Sequence, residues 1–154
     1  MRTSASVWSG IAAVALCMVG FAAAAGDPPP MPAVKKESLE QGFPPAEKRR
    51  NHEGSVLMSF YIDQRGRPNG MEAIETSSEQ FSEGARRLMQ AMRFKATKEW
   101  IAAGGPAVRY RYGFIFELAP CAHRSSPWGG DLEVVSICAS ALPGTPPPTM
   151  LERH

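Results

Sequence analysis

From Val108 to Leu118 the chain alternates without a break. Val108, Tyr110, Tyr112, Phe114, Phe116 and Leu118 fall on one side, and Arg109, Arg111, Gly113, Ile115 and Glu117 fall on the other. Successive side chains of a strand point to opposite faces, so this period of two specifies a long strand with one apolar face. An aromatic face of that size needs a second layer to cover it. Ser55 to Asp63 repeats the pattern, with Val56, Met58, Phe60 and Ile62 on one side. Met71 to Thr76 is a weaker strand, separated from it by the turn residues Gly66, Pro68, Asn69 and Gly70. Phe81, Ala85, Leu88, Met89 and Met92 then follow at helical spacing behind a Ser77-x-x-Gln80 capping box. The order strand, strand, helix, strand predicts an α+β fold. It is a two-layer sandwich in which a small antiparallel sheet (55–63, 70–76, 107–118) is covered by one helix (79–92). Val56, Met58, Phe60, Ile62, Leu88, Met92, Tyr112 and Phe114 are its expected core.

The ends of the chain differ from this middle. Most of the 14 prolines lie before residue 46 or after residue 119. Val7 to Phe21 is almost wholly apolar, Arg2 is its only preceding charge, and Ala23-x-Ala25 follows. This predicts a signal peptide over 1–25, or an uncleaved inner-membrane anchor if those residues are retained. A Pro-rich linker is expected over 26–39, and 119–154 reads as a disulfide-closed extension with a disordered tail from Pro143. After export the remaining cysteines are Cys121 and Cys138, and an even pair in an oxidising compartment predicts a disulfide. Such a bridge turns the chain back through Pro127 and Gly129-Gly130. It lays Leu132 to Ile137 along a sheet edge as a fourth strand, either gating that edge or stapling a small core.

Function classes narrow quickly. Lys plus Arg is 17 and Asp plus Glu is 15, a net charge of +2 that offers no basic stripe for nucleic acid. His52, His123 and His154 have no ligand spacing with the cysteines, so neither a metal nor another cofactor is expected. No nucleophile elbow or phosphate loop occurs, and Ser77-Ser78 reads as a helix cap. The expectation is a protein that is not an enzyme.

The middle resembles the C-terminal domain of the TonB energy transducers over residues 40–118. Phe43-Pro44 with Ala46, Glu53-Gly54, Asp63-x-x-Gly66, Ser77-Ser78, Ala91-Met92-Arg93-Phe94 and Gly104-Gly105-Pro106-Ala107-Val108 match its motifs in order. The resemblance implies a periplasmic protein that takes a short segment of an outer-membrane receptor, or of another periplasmic protein, as an added strand. Val108, Arg109, Tyr110 and Arg111 are the expected peptide-binding residues, and an edge-to-edge homodimer is a second use of the same edges. The apolar segment has no histidine. The spacer Gly26 to Phe43 reaches about 60 Å at most. Both features support the alternative of a stand-alone periplasmic binding or scaffold module without energy coupling.

Overall fold

The computed structural model describes residues 29–35, 42–121, 125–130, 132–144 and 146–154. The segment 1–25, expected to be a signal peptide or an anchor, lies outside the described residues, as does much of the linker. Among the described residues no helix is long and apolar enough to cross a membrane. In chain order the elements are β1 (Val34–Lys35), α1 (Pro45–Arg50), β2 (His52–Ile62), β3 (Pro68–Thr76), α2 (Glu79–Ala91), β4 (Arg93–Phe94), α3 (Lys98–Ala102), β5 (Tyr110–Leu118), β6 (Val134–Ala139) and β7 (Thr149–Met150).

The α+β reading holds, with one correction to the sheet. Its order is β3-β2-β5-β6, with β7 beside β2. The three strands expected from the sequence are antiparallel, but β6 runs parallel to β5 and β7 parallel to β2. The sheet is therefore mixed. Val56, Met58 and Phe60 on β2 stand opposite Phe114, Tyr112 and Tyr110 on β5. These side chains meet Phe81, Ala85, Leu88 and Met89 of α2 in one buried core. Ser78 is the N-cap of α2, and its hydroxyl accepts the N–H of Phe81. Ser77 instead locks the strand pair: its Oγ accepts the N–H of Ser55 at 3.0 Å.

The motifs sit where backbone or core geometry is tight. The Asp63 carboxylate accepts the N–H groups of Arg65 and Arg67, both at 2.8 Å, which holds the β2–β3 turn. Gly66 in that turn has φ +74°, and a Cβ there would lie 2.0 Å from the Phe94 carbonyl oxygen. Phe43 packs edge-on against Phe81 and Phe116, at 6.0 and 5.7 Å between ring centroids. Phe94 stacks on Phe60 at 5.6 Å.

The end of the chain departs from the expected disordered tail. β3 stops at Thr76, opposite Val56, so the first residues of β2 have an unpaired side. β7 pairs there with His52 and Glu53, and His154 exchanges backbone hydrogen bonds with Thr76. An open row of donors and acceptors thus orders a segment whose composition alone predicts none. Also unforeseen is α3, whose Trp100 is buried and donates from Nε1 to the Tyr110 hydroxyl at 3.0 Å.

Candidate functional site

The recognition chemistry open to this fold is its strand edges, and the chain covers most of them itself. The outer strand β3 departs from regular pairing with β2 at two register shifts, which twist its edge away from easy addition. β5 is covered by β6 from Gly113 to Leu118. The expected fourth strand is present. The bridge between Cys121 and Cys138, with Cα atoms 5.9 Å apart, ties it to the chain that leaves β5.

On β5 itself, the N-terminal part of the edge remains open. The Gly113 N–H donates to the Glu133 carbonyl on the β6 side at 2.9 Å. Backbone groups of alternate residues face the same side, so those of Arg111 and Arg109 also point outward. There β6 has not yet begun, and among the described residues no strand pairs with them.

This sorts the four expected peptide-binding residues. Val108 lies before β5, and its N–H is taken by the Gly105 carbonyl at 3.1 Å. Arg109 also lies before β5, although among the described residues no strand pairs with its outer backbone. Tyr110 is buried, opposite Phe60, so its backbone serves the β2 pairing. Arg111 is within the strand and exposed. The expected strand 107–118 is thus shorter at its start, because Gly105–Ala107 forms a 3₁₀ turn that delivers the chain to Tyr110.

The two arginines also differ. Arg109 is engaged by the Glu72 carboxylate and the Ser59 hydroxyl, and its guanidinium lies 5.6 Å from the Tyr61 ring centroid. Arg111 has no carboxylate partner among the described residues. Both flank a groove of about 390 Å³ that also includes Ser59, Glu72, Ala73 and Ile74.

The sequence did not foresee how the sheet's second face is roofed. A Cβ on Gly113 would lie 2.6 Å from the Trp128 ring, so the missing side chain is what admits that ring. The Trp128 Nε1 and Arg153 both donate to Glu75 at 3.0 Å. An open pocket of about 680 Å³ lies alongside Glu75 and Arg153, among Ser55, Ile115, Pro127, Met150 and Leu151. A glycine inside a long strand was the available signal, since it marks a close approach. Burial, reinforced by the Glu133 carboxylate, pushes the Tyr112 hydroxyl up to about 12.

Residues 40–118 match the family described as Gram-negative bacterial TonB protein C-terminal. The chain belongs to the TonB C-terminal domain family. The match spans the α1-to-β5 unit and ends where β5 ends, so β6, β7 and the roof lie beyond the TonB C-terminal region. No curated protein and no solved structure matches the chain. Membership supports a TonB-like role in TonB-dependent transport, with a protein as partner.

Proposed function

We propose that this protein works in the periplasm and binds an extended segment of an outer-membrane receptor by strand addition. The segment pairs with the open β5 edge at Arg109 and Arg111. The observation that carries this reading is the outward-facing backbone of those two residues, next to a guanidinium with no acidic partner among the described residues. Main-chain hydrogen bonds supply the affinity in such a mode, and side chains set the choice of segment. Each arginine offers one donor and one acceptor. At a net ~1 kcal/mol per bond the edge contributes about 4 kcal/mol, the scale of a millimolar Kd. An acidic residue beside Arg111 adds to that.

The stand-alone module without energy coupling is the second reading. It is favoured by β6, which takes up the larger part of the β5 edge.

Titration of a fluorescent TonB-box-like peptide into the purified full chain tests the proposal. Binding is expected in the high micromolar to millimolar range. It should weaken with Arg111→Glu and vanish when a peptide residue that donates to the edge becomes proline. A peptide that binds equally well with proline at every position would refute strand addition.

A further inference from the structure

We propose that the outer edge of β6 is an interface, and that its occupant is β6 of a second copy of this chain. The two strands run antiparallel with Ser136 on the two-fold axis.

Apart from the short stretch of β5 at Arg109 and Arg111, the other edges of the sheet are dealt with among the described residues. β3 carries its register shifts, β5 carries β6, and the start of β2 carries β7. Among the described residues the outer side of β6 has none of these devices. Val134–Ala139 reads Val-Val-Ser-Ile-Cys-Ala, with no charge, proline or glycine. It pairs with β5 through an unbroken register, so its far side is regular too. Regular, uncharged, β-branched edges of this kind invite another strand.

The strand is also rigidly presented. Val135, Ile137 and Ala139 are buried in the core, and Cys138 is bridged to Cys121. β6 is therefore a fixed part of the sheet, and an incoming strand meets a surface that needs no reordering.

The parity of the backbone selects the occupant. Ala119 N–H donates to the Ala139 carbonyl at 2.8 Å, so residue 139 and its alternates face β5. The groups of Val134, Ser136 and Cys138 consequently face outward. Ser136 is the middle one. An antiparallel copy centred there sets Ser136 against its counterpart and Val134 against Cys138, and each of these pairs exchanges two main-chain bonds. On the core side Val135 faces Ile137. A two-fold interface must be complementary to itself, and this register is, without a like-charge contact. Leu142, three residues beyond β6, is 39% exposed.

The test is analytical ultracentrifugation of the full chain, expressed for export and purified. A dimer is expected at concentrations on the order of 100 µM. Ser136→Lys and Ser136→Glu each place a charge against itself on the axis, at a half-buried position that faces away from the core. Each should raise the dimer dissociation constant roughly tenfold or more. An equimolar mixture of the two should restore association. Hydrogen exchange on the wild type should show the Val134, Ser136 and Cys138 amides slowing with protein concentration, a readout that needs no variant. A wild type that stays monomeric at millimolar concentration overturns the proposal. So does a dimer in which those amides exchange as fast as in the monomer, as when a different surface or a foreign peptide is the true occupant.

Discussion

Gly54→Ala is the sharpest test of the packing that shapes the domain. A Cβ at residue 54 would lie 2.4 and 2.6 Å from Cε2 and Cδ2 of Phe81, and 3.0 Å from the Ser77 Cβ. Phe81 has no room to yield. It is wholly buried, with the Phe43 and Phe116 rings 6.0 and 5.0 Å away. Overpacking of a tight core costs about 1–3 kcal/mol, and a ring held on both sides belongs near the upper limit. Replacing glycine in a strand returns roughly 0.5–1 kcal/mol through the unfolded chain. The expected net loss is therefore about 2 kcal/mol. It should be read from urea melts as a lower midpoint at unchanged slope. Gly130→Ala is the matched control, because nothing lies within 4 Å of its would-be Cβ. A Gly54→Ala loss below about 0.5 kcal/mol would mean that Phe81 does not occupy this position in solution.

Other outcomes follow from the same core and from the extension. Phe60→Ala, at a fully buried ring between β2 and its neighbours, should cost about 3–5 kcal/mol in the same melts. Cys138→Ser should cost about 2–4 kcal/mol by opening the loop to Cys121. A loss below about 1 kcal/mol in non-reducing melts would mean that the buried β6 side chains hold the strand unaided. Tyr112 titrates higher in the folded protein than in the unfolded chain, so its neutral form is favoured by folding. That contribution is complete below about pH 10 and is lost as pH rises toward about 12. Tyr112→Phe should flatten this alkaline limb, and an unchanged limb would assign it to another group.

The family core was readable because its signals are periodic and local. The stripe of α2 and the alternation of β2 and β5 each name a buried face, and the motif glycines Gly54, Gly66 and Gly105 stand where a side chain would collide. What escaped reading depends on distant partners. Composition predicts a loose tail after Pro143, yet an unpaired stretch of β2 gives it a place to bond. Arg109 and Arg111 look equivalent along the strand. Only the fold brings Glu72, Ser59 and Tyr61 to the first and leaves the second without an acidic partner among the described residues. The start of the last family strand was likewise misplaced, because the Gly105–Ala107 turn delays β5 until Tyr110. The parallel direction of β6 is set by a loop that the alternation of its residues does not encode.

Amide hydrogen exchange of the full chain, with and without a TonB-box-like peptide, bears most directly on strand addition. Without peptide, the Ile115 and Glu117 amides should exchange slowly, since their side of β5 is bonded to β6. The Arg109 and Arg111 amides should exchange quickly. With peptide at saturating, millimolar concentration, the account predicts slowing at Arg109 and Arg111 and no change at Ile115 or Glu117. Slowing confined to Val134, Ser136 and Cys138, or no slowing anywhere, would contradict it.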